Sequence, residues 1–208
     1  MNSEPRTPNQ ELRTRGKMIV LYGINNLGKT TQAELLVKKI REQGEKAEYL
    51  KYAIYSLEPT GPILSDYLRS GNPYELSPRE AQIIQALNRT QYEPILQEKL
   101  EQGINIIAED YTGTGIAWGV GAGVGEDFLK LINSHLLKED LAFLFSGNRF
   151  REATEENHKH ETDEELLNTV KQVHAKLGEE YGWLPINANL TIEEIHIQVW
   201  QEVQKHLH

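Results

Sequence analysis

The chain has no cysteine, so disulfides, thiolate catalysis and cysteine-held zinc or iron–sulfur centres are excluded. Long apolar runs are missing too. Stretches such as Met18–Leu21 fall far short of the roughly 20 residues a membrane-spanning helix needs. No basic–apolar–small leader opens the sequence, so secretion is not expected. Positive charge is also scarce: Lys and Arg number 22 against 31 Asp and Glu, a net charge of −9 with no long basic stripe. That balance argues against broad nucleic-acid binding through phosphate contacts. What is there, 208 residues with 38% hydrophobic and 25% charged side chains, suits one folded domain. The expectation is a soluble, cytoplasmic protein with neither a nucleic-acid nor a membrane partner.

Residues 1–15 carry two prolines and no apolar periodicity, and read as a flexible tail ahead of a domain over 16–208. Lys17–Tyr22 (KMIVLY) has the form of a buried parallel strand. Helical spacing follows through Ala33, Leu36, Val37 and Ile40 until Gly44. Further strands are expected at Lys46–Tyr52, on an edge, and at Ile104–Ala108, Leu141–Phe145 and Leu184–Asn187. Ser77, Pro78 and Glu80 form a capping box opening a helix over 78–101, kinked at Pro94. Thr191 and Glu194 form a second box opening the last helix. Six glycines in Tyr111–Gly125 suggest loop mixed with short helix, and residues 147–162 are polar and irregular. Strands alternating with helices indicate an α/β fold, a parallel sheet with helices on both faces.

Gly23–Thr30 (GINNLGKT) matches the phosphate-loop pattern GxxxxGK(S/T) directly after a strand and at the start of a helix. A chance match in a chain this long arises at roughly one in a hundred. Gly23, Ile24, Asn25, Asn26, Leu27, Gly28, Lys29, Thr30 and Thr31 are therefore the candidate ATP-binding residues. Their backbone N–H groups and the helix N-terminus favour a polyphosphate. Lys29 is suited to the β- and γ-phosphates, and the Thr30 hydroxyl to Mg²⁺. No guanine-reading Asn-Lys-x-Asp follows, which sets aside a switch GTPase.

From Lys17 to its end, the chain resembles the thymidylate kinase family of P-loop nucleoside monophosphate kinases. The resemblance is carried by Gly23–Gln32 (GINNLGKTTQ), Glu58-Pro59, and Asn88-Arg89 with Gln91. It continues through Glu109-Asp110-Tyr111, where the family usually has Asp-Arg-Tyr, and through Thr114–Gly119 (TGIAWG). It implies a three-layer α/β/α fold with a five-stranded parallel sheet, a lid at about 147–162, and a homodimer. The implied reaction is Mg²⁺-ATP plus dTMP giving dTDP and ADP. The implied catalytic residues are Lys29, Arg89, Glu109, Arg149 and Arg151, with Thr30 and Glu109 at the metal. Glu58, Gln85, Arg89, Asp110, Tyr111, Thr114 and Trp118 are implied on the acceptor side, Arg89 as clamp of the acceptor phosphate.

The departures from the family pattern also fall on the acceptor side. Asn25 replaces an acidic P-loop residue, Gln85 an aromatic that stacks on thymine, and Asp110 an arginine. Alternation along a strand turns Glu109 and Asp110 to opposite sides, and register assigns the metal to Glu109. Trp118 suits either the core or a flank of the acceptor base. His158-Lys159-His160, set among glutamates, reads as solvated lid rather than a metal site. Two rival readings stay open: a kinase for another deoxynucleotide or a nucleoside, and a nucleotide-binding homologue that does not transfer phosphate.

Overall fold

The structure, a computed structural model, describes residues 15–148 and 164–207. Arg149, Arg151 and most of the expected lid lie outside the described residues, as does the tail up to residue 14.

The element order is β1 (Met18–Tyr22), α1 (Lys29–Glu42), β2 (Lys46–Lys51), α2 (Thr60–Arg69), α3 (Pro78–Glu101), β3 (Ile104–Glu109) and α4 (Thr112–Gly121). It continues with α5 (Glu126–Asn133), β4 (Leu141–Ser146), α6 (Glu164–Tyr181), β5 (Leu184–Asn187) and α7 (Ile192–Val203). The five strands form one parallel sheet in the order β2-β3-β1-β4-β5. β1 is central, and all five of its residues are buried, as a strand covered on both faces must be. The polar β2 takes the edge, where its outer side need not be apolar.

α1 packs on β1, β2, β3 and α7, whereas α3, α4, α5 and α6 pack on one another and on β3 and β4. The helix after β1 and the helix after β3 thus leave the sheet on opposite sides. This opens a crevice at the carboxyl ends of those neighbouring strands, the place where such sheets bind ligands.

Both capping boxes form. Glu80 N donates to Ser77 Oγ and Ser77 N to Glu80 Oε2, and the same pair of bonds joins Thr191 and Glu194. Each cap contributes about 1 kcal/mol. The glycine-rich stretch after β3 differs from its expected looseness, because Thr112–Gly121 is a regular helix. Its glycines are contact positions. A Cβ on Gly113 would stand 2.3 Å from the Trp183 ring, and one on Gly121 2.6 Å from Leu166. Close helix packing, not turning, explains them.

Candidate functional site

The P-loop follows β1 and leads into α1. Gly23 has φ +133° and faces Phe145 O, which a Cβ would meet at 2.6 Å. Gly28, at the N-cap of α1, has φ +79° in the left-handed region. Asn26 also takes a left-handed φ of 65°, a conformation Asn tolerates better than most residues. Ile24 and Leu27 are buried in the core and anchor the loop from beneath, while Thr31 is exposed. Lys29, the first residue of α1, is buried and donates to Gly23 O at 2.9 Å and Ile24 O at 2.8 Å. Its Nζ also stands 3.6 Å from Asp110 Oδ1.

Thr30 Oγ1 donates to Glu109 Oε2 at 2.7 Å. Two further donors reach the same carboxylate: Tyr49 Oη at 2.6 Å and Lys51 Nζ at 3.0 Å. The sheet arranges this, since Lys51 pairs with Glu109 in the β2–β3 register and Tyr49 lies two residues earlier on the same face. Burial alone would raise the Glu109 carboxyl. The positive charges of Lys29 and Lys51, with the hydroxyls of Tyr49 and Thr30, hold it below the usual range. Neither Tyr49 nor Lys51 was anticipated from sequence, because both depend on that register. Among the described residues, no cluster of three or more His, Asp or Glu is placed to hold a metal alone. A hydroxyl and a carboxylate, both hard oxygen donors, do fit Mg²⁺, which takes one or two protein ligands and fills its shell from phosphates and water.

Asp110 departs from strict alternation. It follows the last residue of β3 and has φ 59°, although its N–H still bonds Leu21 O at 3.2 Å. The left-handed turn brings its carboxylate to Lys29 instead of to the far side of the sheet, so Glu109 and Asp110 both converge on the P-loop. Thr114 Oγ1, one turn into α4, donates to Asp110 Oδ1 at 3.0 Å. Burial pushes the Asp110 carboxyl up, Lys29 pulls it back, and Glu109 adds to the rise.

Beside this junction lies a cavity of about 90 Å³ lined by Asn25, Tyr52, Ala53, Tyr55, Leu68, Gln85, Arg89, Asp110, Thr114 and Trp118. It draws on the P-loop, the chain after β2, α2, α3 and α4, and gathers six of the residues singled out from sequence. Trp118 is half-buried, lining this cavity while also packing against the hydrophobic core. Arg89 is buried, with Nη1 donating to Asn133 Oδ1 at 3.2 Å and Nη2 to Gln85 Oε1 at 3.4 Å, and Nε has no partner. It lies flat against α4 because residue 115 is glycine: a Cβ there would come within 2.6 Å of Nη2.

Other residues of the sequence patterns brace the pocket instead of lining it. Asn88 accepts from Ile54 N at 2.9 Å and donates to Ile54 O and Thr60 Oγ1. Gln91 accepts from Thr60 Oγ1 at 2.6 Å and donates to Glu58 O. The Glu58 side chain is exposed and does not line the cavity. Tyr111 is buried, its ring 5.0 Å from that of Tyr52, and supports the wall from behind.

Residues 21–199 match the thymidylate kinase family model. The thymidylate kinase of Danio rerio is 30% identical over 88% of this chain and 87% of its own length. That of Homo sapiens is 28% identical over the same shares. A solved structure of thymidylate kinase from Candida albicans superposes with a TM-score of 0.78 at 22% identity, covering 93% of this chain and 94% of that one. The P-loop, the crevice beside it and a family match over most of the length lead to one conclusion: this chain is an enzyme of the thymidylate kinase family.

Proposed function

We propose that the chain transfers the γ-phosphoryl group of ATP, bound with Mg²⁺, to dTMP, yielding dTDP and ADP. The observation that carries this reading is that the P-loop, with Lys29 at the start of α1, opens beside a cavity lined by Asn25 of that loop and by the buried Arg89. Phosphoryl transfer asks the protein chiefly for positioning and charge stabilisation. Here the P-loop backbone and Lys29 cradle the donor phosphates. Mg²⁺, when bound, neutralises charge on those phosphates, and Thr30 with Glu109 would hold it. Arg89 and Gln85 grip the acceptor, while Trp118 and Tyr52 enclose it. The family resemblance assigns Arg149 and Arg151, which lie outside the described residues, to the transferring group.

The reading includes a cytoplasmic homodimer, and α3 supports the dimer. Ile83, Leu87 and Ile95 are 46, 47 and 42% exposed along its outer flank. No helix of the described residues is long and apolar enough to cross a membrane. The reading is tested by ADP release from Mg²⁺-ATP with and without dTMP. Stimulation by dTMP supports it, and ATP binding without acceptor-dependent turnover refutes it.

A further inference from the structure

Phosphoryl transfer brings two sets of phosphates together where the P-loop meets the acceptor cavity. Lys29 serves the donor phosphates there, and Lys51 is a second cation at the same junction. It is the last residue of β2, and the two residues that follow it, Tyr52 and Ala53, line the cavity. Its Nζ lies 3.0 Å from Glu109 Oε1 and interacts electrostatically with Asp110 and Tyr55, both in the cavity wall. The bond to Glu109 uses one of the three N–H donors of the ammonium. The side chain is 49% exposed, so the other two remain open to a ligand. Glu109 does not depend on Lys51 for its anchoring, because Thr30 and Tyr49 both donate to its other oxygen.

We propose that Lys51 binds the phosphate of the acceptor nucleotide, giving it the two N–H donors that Glu109 leaves unused. The inference rests on the phosphotransfer reading and adds to it a residue from the edge strand. Lysine is a compact charge on a flexible four-carbon stem, suited to a phosphate that must approach the γ-phosphoryl group. Hydrogen bonds from an ammonium to a phosphate are charge-assisted and short. Arg89 reaches the acceptor from α3 and Lys51 from β2, so the acceptor is held from two sides. By bonding Glu109 as well, Lys51 links the position of the acceptor phosphate to the carboxylate beside Thr30.

The test measures binding of dTMP and of thymidine, which lacks the phosphate, by calorimetry without Mg²⁺ or ATP. The full chain is compared with Lys51→Met and Lys51→Arg, and thermal unfolding checks each fold. Lys51→Met should weaken dTMP binding about 10–100-fold and leave thymidine binding unchanged. Lys51→Arg, which keeps the charge and the donors, should restore most of the loss. Equal weakening of both ligands, or dTMP binding indifferent to Lys51→Met, would overturn the inference. A change confined to the Mg²⁺ requirement of turnover would overturn it too, since Lys51 would then act through Glu109 alone. Lys51-dependent binding of dTMP without phosphate transfer would leave the inference standing and refute the phosphotransfer reading. No binding of dTMP by the unmodified chain would overturn both.

Discussion

Thr30 Oγ1 donates a 2.7 Å hydrogen bond to Glu109 Oε2, tying the first turn of α1 to the last residue of β3. Glu109 thereby orients the hydroxyl that, in the proposed reading, would meet Mg²⁺, and its other oxygen is held by Lys51. Glu109→Gln keeps the shape and removes the charge. Such a change should lower kcat about 10–100-fold and raise the Mg²⁺ concentration needed for half-maximal rate. A Mg²⁺ titration at saturating ATP measures both. An unchanged Mg²⁺ requirement would contradict the assignment.

Arg89 owes its position to the absence of a side chain at residue 115. Gly115→Ala introduces a Cβ 2.6 Å from Nη2 and 3.0 Å from Nη1, so the guanidinium must shift. The expected loss is roughly 100-fold in kcat/KM for the acceptor, with the KM for ATP unchanged. Gly125→Ala, with nothing within 4 Å and an ordinary φ of −61°, is the control expected to leave both parameters unchanged.

His174 on α6 is buried, with Nδ1 3.1 Å from Val170 O and Nε2 without a partner. Burial, helped by the charge of Lys29, pushes it down to about 3. Between that value and the ordinary histidine range near 6.5, the unfolded chain binds a proton that the folded chain does not. Stability from this residue is therefore complete above about pH 6.5 and lost as pH falls toward 3, with a slope approaching about 1.4 kcal/mol per pH unit. Urea unfolding midpoints from pH 4 to 7 should show this slope, and His174→Phe should flatten it.

Asn88 makes three hydrogen bonds inside the protein, two to Ile54 and one to Thr60. Asn88→Ala strands the Ile54 backbone groups, and a loss of about 2–3 kcal/mol is expected. Denaturant unfolding reads the stability. The acceptor KM should rise as well, since Tyr52, Ala53 and Tyr55 line the cavity on either side of the braced Ile54.

Leu87→Glu places a charge on the apolar outer flank of α3. In sedimentation velocity the unmodified chain should run as a dimer and the variant as a monomer. A monomer before substitution would contradict the dimer.

What could be read from the sequence was whatever lies contiguous in the chain. The phosphate loop is such a unit, because strand, glycine turn and helix follow one another and GINNLGKT carries the pattern whole. The capping boxes at Ser77 and Thr191 are local in the same way. Arg89, Gln85, Thr114 and Trp118 were legible through the family resemblance, and they do meet in one cavity.

The remainder depends on contacts between distant segments. Lys51 and Tyr49 reach Glu109 only because β2 pairs with β3 in a particular register, which composition does not reveal. Asp110 turns toward Lys29 through a left-handed residue that simple alternation does not foresee. Asn133, the partner of Arg89, lies 44 residues away at the end of α5, with no local pattern to mark it. The glycines of α4 looked like loop because their purpose, admitting Trp183, Arg89 and Leu166, is visible only once those side chains are in place.

The most direct measurement is transfer of labelled γ-phosphate from Mg²⁺-ATP to dTMP, by the unmodified chain and by Lys29→Met. The account predicts labelled dTDP from the unmodified chain and a loss of about 100-fold or more in the variant, which still binds dTMP. Absence of labelled dTDP from a folded chain that binds both ligands, or equal transfer by Lys29→Met, would contradict it.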